Sequence, residues 1–340
     1  MPKLRWLIAL VILISTAWGC LALWFQLPRQ FTAVGLIVLA VWGLLGAISA
    51  FTLLWHHQAR HRRNLLATYM LSAALLLLWW HNITPSHNRD WADDVAHLLE
   101  SEIQGNEVRL HNVRNFEWRT ETDYTPNWES RSYNLNQLVS ADLILSYWMG
   151  PHVAHTLVSF GFADGQQLVF SLEIRKERHE SFSAIGGFFR QFEQVLIAAD
   201  ERDLIRTRSN ARGEDVYLYR LVIPPAQLRT LFLGYLEAAE GLRTAPDFYH
   251  TLTSNCTTIV FDLARHIAPG IPLDYRLILS GHFAEYANDL GALVPEYSYT
   301  QLQQLGYINA RAKSSDNNDK QDFSQLIRQG VPKASVVNTP

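Results

Sequence analysis

The chain has 340 residues, with 32 acidic against 29 basic side chains and a formal net charge of −3 when histidine is neutral. No basic excess points to nucleic acid, and the length accommodates one or two domains. The composition is uneven: roughly the first eighty residues are nearly all apolar, and the remainder carries the Arg, Glu, Tyr and Trp of a domain in water.

Three apolar runs come first. Trp6–Phe25 and Ala33–Trp55 hold no charged residue, and Leu65–Trp80, extended to Ile83, is the third. A hydrocarbon core needs about 20 apolar residues per helix, so the runs predict an anchor over 1–83 with transmembrane helices near 6–25, 33–55 and 64–83. The first run is too long for a signal peptide, and no small-x-small cleavage site follows it. Cys20 lies inside it and reads as a span residue. Lys3 and Arg5 precede the first run, Arg29 is alone in the first connection, and Arg60, Arg62 and Arg63 crowd the second. The positive-inside rule then predicts a cytoplasmic N-terminus, with residues 84–340 on the outer side. The histidines of the second connection, His56, His57 and His61, have no carboxylate or cysteine beside them to complete a metal site. No metal or organic cofactor is expected.

A domain in water is expected over 84–310, and a polar, partly disordered tail over 311–340. Asp90–Leu99 reads as a short helix. Short strand-like runs follow at Val108–Val113, Phe116–Arg119, Arg131–Leu135 and Leu143–Trp148. The clearest element is a hairpin, His155–Phe162 with Gln167–Ile174, turning at Ala163-Asp164-Gly165. Its even positions (Val158, Phe160, Phe162, Leu168, Phe170, Leu172 and Ile174) are all apolar, so paired numbers must sum to an even value. A three-residue loop pairs 162 with 166, and the same sum of 328 sets His155 opposite Glu173. Gln194–Ala198 and Asp215–Val222 read as strands, and Pro225–Leu242 as a helix with Leu228, Leu231, Phe232, Tyr235, Leu236 and Ala239 on one face. Phe323–Arg328 forms one short helical piece in the tail. The class is α+β, with an antiparallel sheet.

Chemistry concentrates at Cys256. It follows Asn255 or Ser254 as a helix cap and precedes the apolar run Ile259-Val260-Phe261. Outside the cytoplasm it has no disulfide partner in its own domain, and a helix N-terminus favours the thiolate. A thiolate nucleophile wants an imidazole as base and a third polar group to hold that imidazole, which His155 and Glu173 can supply. His152, His250 and His282 are rival bases. The backbone N–H groups of Cys256 and Thr257, or the Tyr249 hydroxyl, are candidates for stabilising an oxyanion. The run Asp200-Glu201-Arg202-Asp203 with Arg206, Arg208 and Arg212 reads as a solvated ion-pair surface, or else as a site for an anionic headgroup.

Several stretches together resemble the Lnb N-terminal periplasmic domain family: His155–Phe162, Ser171–Glu177, Gly187–Glu193, Asp200–Asp203, Glu214–Tyr219 and Asn255–Thr258. The resemblance runs from about residue 85 to 330. The family's namesake is a bacterial lipoprotein intramolecular transacylase, which moves an acyl chain from the diacylglyceryl group to the N-terminal amine. Its catalytic domain is followed by membrane helices, whereas three apolar runs precede the domain here. The order His, acidic strand residue, Cys is also similar to circularly permuted NlpC/P60 papain-like enzymes. That implies a papain-like domain in which His155 is the base, Glu173 the orienting residue and Cys256 the nucleophile. It further implies an inner-membrane protein of a bacterium with a periplasmic C-terminal domain and a lipid or lipoprotein substrate. Two other readings share the sequence: a cysteine peptidase or amidase acting on cell-wall peptides, and a non-catalytic membrane-anchored binding module.

Overall fold

The structure, a computed structural model, describes residues 2–27, 32–317 and 322–333. Arg29, and the parts of the expected tail at 318–321 and 334–340, lie outside the described residues. The chain divides into two compact units, one of residues 1–86 with 183–192 and the other of 87–182 with 193–340.

The first unit is built on α1 (Pro2–Gln26), α2 (Thr32–Trp55) and α3 (Ala59–His81). All three are long and apolar enough to cross a membrane. Lipid offers no hydrophobic gain for helix association, so close approach and interhelical hydrogen bonds hold such bundles. The Tyr69 hydroxyl of α3 meets Ser15 Oγ at 2.7 Å and Thr16 Oγ1 at 3.0 Å on α1. Trp42 of α2 donates its indole N–H to the Thr16 carbonyl at 2.9 Å. A side chain at Gly46 would fall on Thr16, so glycine lets α2 approach α1 there.

The second unit is α+β. Its strands are β1 (Glu100–Gln104), β2 (Glu107–Arg114), β3 (Glu117–Trp118), β4 (Tyr124–Thr125), β5 (Trp128–Asn134), β6 (Leu138–Tyr147), β7 (Ala154–Phe162), β8 (Gln167–Arg175), β9 (Glu193–Ala199) and β10 (Asp215–Arg220). The main sheet runs β1-β2-β9-β8-β7-β6-β10, with β5 also on β2, and β3 and β4 form a separate ribbon. Pairing is antiparallel apart from the single parallel bridge of Arg114 with Ala199 between β2 and β9. The helices are α4 (Glu201–Arg206), α5 (Pro225–Thr244), α6 (Cys256–Ile267), α7 (Phe283–Asp289), α8 (Tyr299–Gly306), α9 (Asn309–Ser314) and α10 (Phe323–Ile327).

Both faces of the sheet are buried, which is why its central strands read as nearly continuous apolar runs. The even positions of the β7–β8 hairpin, from Val158 to Leu172, join Leu228, Phe232 and Tyr235 of α5 and Phe261 of α6 in one core. The odd positions Leu157 and Val169 join Leu204 and Ile205 of α4, Ile308, Ala312 and Ile327 in the other. Val158 pairs with Phe170 and Gly161 with Gln167. The register sum is therefore 328, as the apolar alternation and three-residue turn require.

Three features differ from expectation. Asp90–Leu99 holds only one 3-10 turn, Asp93–Val95, before β1 begins. Packing continues past residue 310: Phe323 and Leu326 are buried and Ile327 has no exposure. The charged run after β9 is only partly solvated: Arg202 and Arg212 are exposed, but two of its acids turn inward. Glu201 and Asp203 are fully buried. Asp203 accepts from Arg114 Nε at 2.8 Å, Phe116 N at 2.9 Å and Trp118 Nε1 at 2.8 Å. Glu201 pairs with Arg328, which also reaches Asp142 from α10's end. Leu204 and Ile205 draw the segment under the sheet, and the acids carried in with them, Glu201 and Asp203, each find a cation or N–H partner inside.

Candidate active site

Cys256 is the first residue of α6 and is 6% exposed. Asn255 caps the helix by accepting from the N–H groups of Thr257 at 2.9 Å and Thr258 at 3.1 Å, and Thr258 Oγ1 accepts in return from Asn255 N. The capping box fixes the helix start and so the thiol. The Thr257 N–H, one of the oxyanion candidates, is thereby occupied, and the Thr257 hydroxyl is held by Thr156 Oγ1 at 2.9 Å. The backbone N–H of Cys256 has no bond to another described residue.

His155 lies at the start of β7, where it pairs with Ser146 of β6. Beyond Val158 and Phe170 the β7–β8 ladder ends, while β7 stays on β6 and β8 stays on β9. The two strands part there. Side chains alternate along β7, so Thr156 meets α6 while His155 belongs to the α4 side. Cys256, at the start of α6, lies near enough to this gap for the His155 charge and the Thr156 N–H to act on its thiol.

Glu173 stands across the gap, with Oε1 3.2 Å from His155 Nε2. The Ser171 hydroxyl lies between them, 2.6 Å from Nε2, and donates to Glu173 Oε1 at 2.7 Å. A hydroxyl has one hydrogen, and this one goes to the carboxylate; Nε2 must therefore donate to Ser171. That fixes the tautomer and leaves Nδ1 as the unprotonated nitrogen of the neutral ring. On the far side Arg208 donates to Glu173 Oε1 at 2.7 Å and lies 3.7 Å from Glu214, itself bonded to Ser146. Arg208 sits in the π-helical turn Thr207–Ala211 that follows α4, a kind of irregularity common at functional sites.

Burial raises the thiol's pKa, but the His155 charge, the hydrogen bond from His155 and the Thr156 N–H lower it more, and the net direction is down. Burial and Arg208 push His155 down, while the Cys256 thiolate and Glu173 push it up and prevail, to about 9. Burial opposes ionisation of Glu173, yet His155 and Arg208 hold its carboxyl well below the usual range. The arrangement favours a thiolate–imidazolium pair with an ionised carboxylate behind it.

The rival bases sit elsewhere. His250 Nδ1 is engaged by its own loop, 2.9 Å from Thr253 Oγ1, and His152 and His282 face each other at 2.9 Å. Tyr249 is partly buried and its hydroxyl is pushed up by burial and by the charges of Cys256 and Glu173. Ser171, Thr156 and Arg208 belong to this site without a motif that marks them in the sequence. Ser171 shares the register face of His155 and Glu173, and that was a usable signal. Nothing in the spacing of Arg208 marks it.

The entry to β7 is held by a close backbone approach. Ala154 N donates to Ser280 Oγ at 3.0 Å, and Gly281 N to the His152 carbonyl at 3.0 Å. A side chain at Gly281 would fall on the Pro151 carbonyl. Gly281→Ala is expected to cost about 1–3 kcal/mol and to slow Cys256 alkylation by displacing His155. A melting curve and a labelling rate equal to wild type would exclude this.

These features define a class: a protein with three apolar helices able to cross a membrane and an α+β domain in which a buried cysteine, a histidine and a carboxylate converge. Residues 124–281 match the family described as Lnb N-terminal periplasmic domain, the family whose motifs the sequence carries. No curated protein and no solved structure matches the chain. The family and the apolar helices fit an inner-membrane protein with a periplasmic C-terminal domain.

Proposed function

We propose that this protein is a membrane-anchored periplasmic cysteine acyltransferase acting on lipid or lipoprotein acyl groups, with a papain-like arrangement of nucleophile and base. The observation that supports the reading is the His155 Nε2–Glu173 Oε1 contact at 3.2 Å in the gap between β7 and β8, with Cys256 at the start of α6 near enough for its charge to act on His155. His155 Nδ1 takes the thiol proton and the thiolate attacks an ester carbonyl. The oxyanion forms beside the free N–H of Cys256, with the Tyr249 hydroxyl as a second donor. As the tetrahedral intermediate collapses, the leaving alcohol takes the proton from His155 and a thioester remains. An acceptor amine then attacks the thioester, His155 removes its proton, and the thiolate departs. A tether to the bilayer raises the effective concentration of a substrate held there, which favours lipid-borne acyl groups over soluble peptides. The N-terminus is cytoplasmic in this reading.

The test is the pH dependence of iodoacetamide labelling at Cys256 in detergent, in wild type and in His155→Ala. Labelling that persists well below pH 7 and falls about 10²–10⁴-fold in the variant is the expected result, followed by a fatty-acyl mass shift on Cys256 after incubation with a diacylated lipoprotein. A reactive thiol that takes no acyl group but cleaves a cell-wall peptide moves the reading to a peptidase or amidase. Slow labelling, identical in the two proteins, leaves a binding module.

A further inference from the structure

The motif Gly187–Glu193 is not used by the chemistry above. It belongs to the connection between β8 and β9, and residues 183–192 of that connection pack with the apolar helices. The contacts are specific. Gln26 at the end of α1 donates its Nε2 to the carbonyls of Phe189 and Arg190, both at 2.7 Å. Arg190 donates to the carbonyls of Trp80 at 2.8 Å and Ile83 at 3.2 Å, just past α3, with its guanidinium over the Trp80 ring at 4.9 Å. Phe189 stacks on Phe25 with centroids 5.6 Å apart. Arg190 adopts a left-handed backbone, φ 55°, a strained state for a residue with a side chain, kept only where surroundings demand it.

The ends of α1 and α3 are where two apolar helices stop, and Trp18, Trp24, Trp79 and Trp80 cluster toward those ends. Tryptophan gathers at the membrane–water boundary. The docked segment satisfies its own backbone in a 3-10 turn, Gly186–Phe189, which irregular chain near lipid requires. Even so, it leaves Ile185 56% and Phe188 39% exposed beside those helix ends. Apolar groups exposed to this extent there continue the apolar outer surface of the helices themselves.

We propose that residues 183–190 form an interfacial membrane element, with Ile185 and Phe188 lying in the headgroup–acyl boundary of the bilayer. The sheet's own chain, between the strand that carries Glu173 and its neighbour β9, is thus a fourth contact with lipid in addition to the three spans. The occupant is bilayer lipid, because the surface is continuous with helices whose apolar length already requires it.

The experiment uses the full chain with Cys20→Ser and Cys256→Ala, reconstituted in phosphatidylethanolamine–phosphatidylglycerol nanodiscs. A nitroxide is placed by Ile185→Cys, and separately by Phe188→Cys so that one poorly folding variant does not decide the matter. Collision with oxygen against a nickel chelate is compared with Leu71→Cys on α3 and Leu273→Cys in the other unit, residues 65% and 79% exposed. The expected ratio lies nearer to Leu71→Cys than to Leu273→Cys. A ratio nearer to Leu273→Cys overturns the proposal. The outcome does not depend on any chemistry at Cys256.

Discussion

Asp203→Ala is expected to destabilise the α+β unit by about 3–5 kcal/mol, the largest loss of any single substitution considered. Asp203 is fully buried and collects the Arg114 guanidinium through Nε at 2.8 Å and a second nitrogen at 3.0 Å, with the N–H groups of Phe116 and Trp118 beside them. Its removal leaves a buried guanidinium facing an empty site, and most of the loss comes from that unpaired charge. The check is thermal unfolding of the full chain in detergent, followed by exchange of amide hydrogens in β2 and β9. Arg114→Met added to Asp203→Leu should recover a large part of the loss, because paired removal takes away the stranded charge as well. Equal melting temperatures for wild type and Asp203→Ala would contradict the argument.

The second large effect is expected from Glu173→Gln, and its sign follows from the charges around His155. The thiolate and Glu173 raise the imidazole to about 9, against burial and Arg208. Glutamine removes one of the two raising charges and leaves Arg208 unopposed. The imidazolium then loses its proton at lower pH, so the alkaline limb of kcat/KM for acyl-enzyme formation moves toward acid, by roughly 1–3 units. Turnover at the optimum falls by about 10²–10⁴, since the amide no longer orders the Ser171 hydroxyl that sets the tautomer. An alkaline limb that stays in place would remove Glu173 from the site's proton chemistry. Arg208→Gln makes the opposite change near the same ring, and its alkaline limb should not move toward acid.

The parts that could be read in the sequence share a physical reason: each is local. Three uninterrupted apolar runs give three helices because the span length sets the number of residues. The hairpin register follows from seven apolar even positions and a glycine-containing turn; extended, it sets His155 toward Glu173, although the ladder itself ends at Val158 and Phe170 and the two side chains meet across a gap. A cap at Asn255 or Ser254 follows from the capping chemistry of those side chains, and Asn255 is the one that caps α6. The hidden parts depend on contacts distant in the chain. Arg208 reaches Glu173 from a π-helical turn 35 residues on. The run at Asp200–Asp203 has the composition of a surface, yet Glu201 and Asp203 are buried because Arg328 and Arg114 come from far segments to meet them. The Thr257 N–H fits a textual pattern for an oxyanion donor but is consumed by the cap that the same pattern requires. The docking of residues 183–192 on α1 and α3 leaves no periodic signal at all.

The gap between β7 and β8 also bears on how the polypeptide matures. Residues 155, 171 and 173, 208 and 256 come from four separate elements, and the thiol meets its imidazole only after about a hundred intervening residues have found their places. Before that closure Cys256 is an ordinary thiol, mostly protonated at neutral pH and slow to be attacked by oxidants, which act on the thiolate. Contacts at such sequence separation form late. On the proposed function, the nucleophile is switched on by the completion of folding, and a chain still folding carries Cys256 in the unreactive form.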